Sequence, residues 1–399
     1  MSILLKHLEH FSKIETPFYF YDLRILQKNL DSITKAGRGY HLHYALKANA
    51  NQPILTRIAN AGLGADCVSG NEVRCALDSG FDSNSVVFAG VGKSDKDIEF
   101  ALRKNIFCFN AESVQELEVI NQIAGKLKQK ARIALRINPN VKADTHHYIS
   151  TGLEENKFGI NEADLPAVCE VLKKSEYLVL EGLHFHIGSQ ITTLDPFKSL
   201  CMRVNEYYRW FKLKGYNLSF LNVGGGLGTD YKNPDGVGFP DYPSYFEVFR
   251  RFLQIPEGVA LHFEPGRSIV AQCGSLISKV LFVKPGTFAR FVILDAGMTE
   301  LIRPALYQAY HKIENLSGFQ GKLKGGERRF RRILPYNVVG PVCESSDCFG
   351  KHVLLPETLR GDIFAIRSTG AYGEVMASNY NQRDKIRAVY DSELETIPF

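Results

Sequence analysis

The sequence predicts an α/β protein: a parallel (β/α)8 barrel with a second, mostly β domain formed by both chain ends. Three observations lead there. Short apolar runs that end in polar or glycine residues alternate with helical segments eight times over about 220 residues, the rhythm of repeated βα units. No G-x-G-x-x-G follows the first run, which disfavours an open doubly wound sheet. After Gly266 the texture changes to strand-like runs with few helices between them.

Taken in order, Phe18-Tyr19-Phe20-Tyr21 is aromatic and β-prone, a strand expected to join the β domain. The barrel runs are 41–46, 64–68, 86–90, 106–110, 131–137, 180–187, 220–223 and 260–263. Helical segments lie between them at 71–79, 94–103, 112–124, 163–173, 196–211 and 242–253, where apolar residues recur at helical spacing. Ser69-Gly70-Asn71-Glu72 and Asn110-Ala111-Glu112 read as helix N-caps. Runs at 275–283, 288–294, 337–339, 352–355 and 362–366 read as strands of the second domain. The expected division is a barrel over 25–265 and a discontinuous β domain from 1–24 and 266–399.

The 399 residues carry a formal charge of +5 with both signs interspersed, which argues against a dedicated nucleic-acid surface. The most basic run, from Lys322 to Arg332, contains Gly325-Gly326 and reads as a solvated loop, within a segment 317–332 that resembles an insertion. No stretch approaches the roughly 20 apolar residues of a membrane span. The first residues are too short and interrupted for a signal peptide. The eight cysteines form no C-x-x-C pair. A reduced, cytoplasmic setting is expected.

In such a barrel, function gathers at the carboxyl ends of the strands. Those ends read Lys47, Asp66, Gly92-Lys93, Asn110, Arg136 with Asn138, His186, Gly224-Gly225-Gly226, and Glu264 with Arg267. A strand-end lysine ordinarily snorkels to water, but one desolvated or beside cations becomes a nucleophilic amine able to form a Schiff base. The glycine run lets backbone N–H groups approach a phosphate, against the simpler reading of a flexible turn. His184-Phe185-His186 places two imidazoles on one face. They suit a metal pair, a ring stacked on a flat cofactor, or, for His184, a plain core position; further metal ligands at suitable strand ends are lacking. Glu264 beside Arg267 reads either as a structural ion pair or as the carboxylate that a pyridinium nitrogen needs.

Seven segments in this order carry a resemblance over nearly the whole chain. They are Tyr44-Ala45-Leu46-Lys47-Ala48-Asn49, His184-Phe185-His186-Ile187-Gly188-Ser189-Gln190, Gly224-Gly225-Gly226, Glu264-Pro265-Gly266-Arg267, Arg303-Pro304-Ala305-Leu306-Tyr307, Cys343-Glu344-Ser345 and Gly370-Ala371-Tyr372-Gly373. The sequence resembles the fold-type III pyridoxal-phosphate decarboxylases, in the branch that acts on diaminopimelate. The resemblance implies pyridoxal 5'-phosphate as cofactor and a head-to-tail homodimer with shared active sites. It implies that Lys47 holds the cofactor, His186 stacks on its ring, and Glu264 bonds its nitrogen. Gly224, Gly225, Gly226, Ser189 and the backbone at Gly266 and Arg267 hold the phosphate, and Asp66 lies nearby. Cys343 is the implied acid that reprotonates the α-carbon. Glu344 is implied to recognise a distal ammonium, and Arg267, Arg303 and Tyr307 a distal carboxylate. Tyr372, with Cys343 and Glu344, is expected from the partner subunit, serving both cofactor and substrate.

The implied reaction is decarboxylation of meso-2,6-diaminopimelate to L-lysine, the last step of lysine biosynthesis, with no metal. Carboxynorspermidine, ornithine or arginine are alternative substrates on the same fold; Glu344 and the Arg303-Pro304 pair favour diaminopimelate. A non-catalytic relative would lack Lys47 or Cys343, and both are present. Gly62-Leu63-Gly64 and the loop 138–156 are lid candidates. Lys157 in Lys157-Phe158-Gly159 is expected either at the surface or in an ion pair across the dimer.

Overall fold

The computed structural model describes residues 2–141, 157–236, 238, 240–287, 289–322 and 328–394. The chain divides into two compact units: one of residues 29–228 and 240–268, the other of 1–28, 229–239 and 269–399.

Strand β1 (Phe18–Tyr21) precedes the barrel and belongs to the second unit. The first unit is a closed parallel barrel of β2 (His41–Ala45), β3 (Gly64–Cys67), β4 (Val86–Phe88), β5 (Cys108–Ala111), β6 (Ala131–Arg136), β7 (Leu178–His184), β8 (Phe220–Asn222) and β9 (Ala260–Phe263). Closure comes from β2 pairing with β9, His41 opposite His262. The predicted runs land on these strands, often one to three residues long at the carboxyl end, where the chain has already turned into a loop.

The crossover helices start on a repeated device. Ser69, Ser94 and Ser113 each accept a hydrogen bond from the backbone N–H three residues on. Glu72 and Glu116 reach back to the N–H groups of Val68 and Glu112, which satisfies donors that a helix start leaves open. The cap read at Asn110-Ala111-Glu112 belongs instead to Ser113, because Asn110 and Ala111 are still paired in β5.

The barrel interior is apolar at Val87, Cys108, Ala134 and Phe220. Toward the amino ends of the strands it holds a histidine pair. His43 Nδ1 lies 2.9 Å from the Ser85 carbonyl oxygen, so it carries the proton. His43 Nε2 therefore accepts from His262 Nδ1–H at 2.9 Å. The rings of His41 and Phe107 stack on His262.

The second unit is an eight-stranded sheet. Its path is β12 (Ile313–Asn315), β17 (Ile363–Arg367), β10 (Gly274–Pro285), β11 (Arg290–Leu294), β15 (Ile333–Val339) and β16 (Cys348–Pro356). β1 pairs with β10 and with β18 (Ala388–Tyr390), so both chain ends build this sheet. Its core includes Leu4, Phe11, Phe18, Phe20, Ile277, Leu316 and Val389. The basic segment read as a solvated loop contributes a strand pair, β13 (Phe319–Lys322) with β14 (Arg328–Phe330). Gly325-Gly326 and 142–156 of the proposed lid lie outside the described residues.

Candidate active site

Lys47 sits in a single 3-10 turn, Leu46–Ala48, directly after β2. Its amine approaches the Asp66 carboxyl at the end of β3, at 3.5 Å. Asp66 is 1 % exposed, and neither carboxyl oxygen has a hydrogen-bond partner. Burial, then the charge of Glu264, pushes Asp66 up to about 8 in spite of Lys47. At neutral pH Asp66 is mostly protonated, so the contact is polar and not a full ion pair. That fits the absence of a hydrogen bond across it.

Glu264 follows β9 and is held by three side chains. Its Oε1 accepts from Asn110 Nδ2 at 3.2 Å and from Asn222 Nδ2 at 2.8 Å. Its Oε2 meets His184 Nε2 at 2.9 Å. Burial works to raise Glu264, but His184 and then Lys47 outweigh it and hold the group below the usual carboxylate range. The result is a buried, ionised carboxylate fixed by donors from three other strands. His184 is thus a partner of Glu264, beyond the plain core position.

His186 is held neutral by burial and then by the nearby charges of Arg136 and Lys47. Its Nδ1 accepts from the Gly225 N–H at 3.3 Å, which leaves the proton on Nε2. At its glycines the loop after β8 has no room for a side chain. A Cβ on Gly225 would fall 2.1 Å from the Glu264 carbonyl oxygen. Gly224 has φ +69, and a Cβ there would lie 2.4 Å from the Phe185 carbonyl oxygen. Ser189 Oγ accepts from Arg267 Nη2 at 2.9 Å. Gly266 packs against Ala45 and Ala48, which brings the Glu264–Arg267 turn onto the Lys47 turn.

Around this centre, Glu112 accepts from Arg136 Nη1 at 2.8 Å and from the N–H groups of Gly90 and Gly159, tying neighbouring strand ends together. The fully buried Lys93 amine bonds the carbonyls of Gly90 and Asn110 and the Glu116 carboxylate.

The residues fit a flat phosphorylated pyridine aldehyde. Lys47 offers an amine to the aldehyde, Glu264 an ionised carboxylate to the ring nitrogen, His186 a neutral ring, and the glycine run a backbone bare of side chains. The Asp66 oxygens and Asn110 Oδ1 are buried without partners and available to a polar ligand edge.

The other singled-out residues belong to the second unit. Arg303 and Tyr307 share a face of the helix Arg303–Tyr307. Arg303 Nη1 donates to Tyr231 Oη and to His311 Nε2, each at 2.9 Å. His311 Nδ1 in turn donates to the Arg367 carbonyl oxygen. Cys343, Glu344 and Ser345 are exposed, and Glu344 Oε1 accepts from the Tyr380 hydroxyl at 2.9 Å. Tyr372 has φ +55, a left-handed conformation uncommon for an aromatic residue. In the barrel unit, Lys157 is exposed and lies over the Phe158 ring.

Sequence reading missed Asn222, Tyr231, His311 and Tyr380. Asn222 had a signal, the last residue of a barrel strand. The others are joined to their partners across the fold and have none.

Residues 23–271 match the family profile described as pyridoxal-dependent decarboxylase, pyridoxal binding domain. The chain is 49 % identical over 390 residues to diaminopimelate decarboxylase of Bacteroides thetaiotaomicron, covering 97 % of this chain and 98 % of that one. It is 45 % identical over 382 residues to the Helicobacter pylori enzyme of the same name, covering 95 % and 91 %. Among solved structures, Helicobacter pylori diaminopimelate decarboxylase complexed with L-lysine superposes with a TM-score of 0.87 at 43 % identity, over 96 % of this chain and 93 % of that one. Arginine decarboxylase of Paramecium bursaria Chlorella virus superposes with a TM-score of 0.84 over 97 % and 100 %, but at 20 % identity that likeness concerns the fold alone.

Proposed function

Since this chain belongs to the pyridoxal-dependent decarboxylase family, with full-length relatives named diaminopimelate decarboxylase, we propose that it decarboxylates meso-2,6-diaminopimelate to L-lysine and carbon dioxide. Its cofactor is pyridoxal 5'-phosphate. The observation that carries the reading is the Lys47–Asp66–Glu264 cluster, an amine and a fixed anion at neighbouring strand ends.

When bound, the cofactor supplies an electron sink for the pair left behind as the carboxylate departs. Lys47 Nζ holds it and, once free, moves protons at the reacting amine. Glu264, kept ionised by Asn222, Asn110 and His184, holds a proton on the ring nitrogen. His186 would hold the cofactor's ring with its neutral imidazole. The Gly224-Gly225-Gly226 loop binds the phosphate by the close backbone approach its missing side chains allow, with Ser189 and Gly266 shaping that end. Asp66 lies beside the amine, its carboxyl pushed toward the protonated form by burial and then by the charge of Glu264.

Arg303, with Tyr307 and Arg267, binds the distal carboxylate; a guanidinium fork suits that task. Glu344 binds the distal ammonium. Cys343 Sγ carries the proton delivered to the α-carbon. Cys343, Glu344 and Tyr372 act in the partner's site within a homodimer, a reading supported by the exposure of Cys343 and Glu344 in the single chain. No nucleic acid takes part, and the setting is the cytoplasm.

The test is carbon dioxide release by the cofactor-loaded protein from meso-diaminopimelate, carboxynorspermidine and ornithine in parallel. Release from diaminopimelate alone, with lysine formed, is expected. Preferential release from another substrate would overturn the roles given to Glu344, Arg303 and Tyr307.

A further inference from the structure

Glu344 is exposed, yet its carboxylate is not left to rotate. Its Oε1 accepts from the Tyr380 hydroxyl at 2.9 Å, and among the described residues no donor meets Oε2. The backbone beneath it is fixed. Asp347, 4 % exposed, accepts from the N–H groups of Val342 and Met298, each at 2.7 Å. Its own N–H donates to the Glu344 carbonyl oxygen at 3.0 Å. A Cβ on Gly340 would fall 2.3 Å from the Asp347 carboxylate, so the loop closes tightly over that acid. The segment bearing Tyr380 is anchored as well. The Ser378 N–H donates to the Thr299 carbonyl oxygen at 2.9 Å, and Asn381 Oδ1 accepts from the Cys343 N–H at 3.5 Å.

We propose that Tyr380 is a specificity-determining positioning residue: its hydroxyl fixes Glu344 through Oε1 so that Oε2 faces the distal ammonium of the amino-acid substrate. The inference rests on the reading of Glu344 as the ammonium-binding residue. A phenol suits the task for an electrostatic reason. Lysine or arginine at this position would neutralise the carboxylate and compete with the substrate's cation. A neutral O–H orients it and leaves its charge intact. The hydrogen bond also raises the phenol's own pKa, so the donor keeps its proton across the working range. An exposed pair of this kind contributes little to folding, so the contact has its effect on ligand binding.

The test compares L-lysine with 6-aminohexanoate, which lacks only the α-ammonium, by calorimetric titration of the cofactor-loaded enzyme. Tyr380→Phe is expected to weaken L-lysine about tenfold, as for loss of a hydrogen bond to a charged group, and to leave 6-aminohexanoate within about twofold. The KM for meso-diaminopimelate should rise by a similar factor with kcat nearly unchanged. Equal weakening of both ligands would make Tyr380 a scaffold residue and overturn the proposal. Glu344→Gln separates the two readings. If it weakens L-lysine while Tyr380→Phe does not, the Tyr380 proposal falls and the Glu344 reading stands. If neither variant changes binding, the Glu344 reading fails and takes the proposal with it.

Discussion

The two units prepare their functional groups in opposite ways. In the barrel, Glu264 is 6 % exposed and placed by donors from three other strands, and Asp66, 1 % exposed, lies against the Lys47 amine. In the β unit, Cys343 and Glu344 stand exposed on a loop fixed through its backbone, with the Tyr380 hydroxyl on the Glu344 carboxylate. The first arrangement tunes protonation through burial. The second leaves its groups at the surface, where the proposed ligand and partner subunit would meet them. Electron withdrawal needs a preorganised, water-poor setting. Substrate selection and proton delivery need groups that meet a ligand.

Substitutions test this contrast, and the largest effects belong to the barrel. Lys47→Ala should lower kcat by about 1,000-fold or more, the upper range for a positioned proton-transfer group, and abolish the visible absorbance of the loaded enzyme. Retained turnover would remove Lys47 from the chemistry. Glu264→Gln keeps the shape and loses the charge; kcat should fall about 100-fold with KM little changed, comparable to removing one electrostatic stabiliser. A larger effect on KM than on kcat would make Glu264 a scaffold residue.

In the β unit the effect should move to KM. Arg303→Ala should raise the KM for diaminopimelate by about 30-fold through loss of a charged hydrogen bond to the distal carboxylate. Unchanged kinetics would break the division of labour between the units. The smallest effect is on stability. Burial lowers His43 to about 4 and His262 to about 2, with Glu264 opposing and His41 adding to the shift in both. A lowered folded-state value means that the contribution is complete above the unfolded pKa of about 6.5 and is lost as pH falls through the folded values. His43 alone should contribute on the order of 3 kcal/mol lost by pH 4. Thermal unfolding followed from pH 7 to 4 should fall more steeply in the native protein than in His43→Gln. Parallel slopes would show the histidine pair to be neutral bystanders.

The barrel was legible because its signal is local. Each βα unit writes an apolar run, a polar end and a helix start within about 25 to 35 residues, so Lys47, Asp66, Glu264 and His186 could be picked out as strand-end residues. Errors fell where two local signals overlapped. Asn110 resembles a cap but is still paired in β5, and Ser113 caps the helix. The supports of the site were harder to read. Asn222 is joined to Glu264 across 42 residues, and Arg303 to Tyr231 across 72, and no periodicity marks such pairs. In the β unit the basic segment looked like loop because charge dominates its composition, yet part of it pairs as a hairpin.

The central claim is that one chain's barrel chemistry is completed by another chain's Cys343 loop. Mixing inactive Lys47→Ala with inactive Cys343→Ala, after dissociation and reassociation, tests it most directly. Random pairing of a two-fold dimer leaves about a quarter of the sites with both wild-type residues, so activity near a quarter of the native value is predicted. A mixture as inactive as its components, with mixed dimers demonstrated, would contradict it.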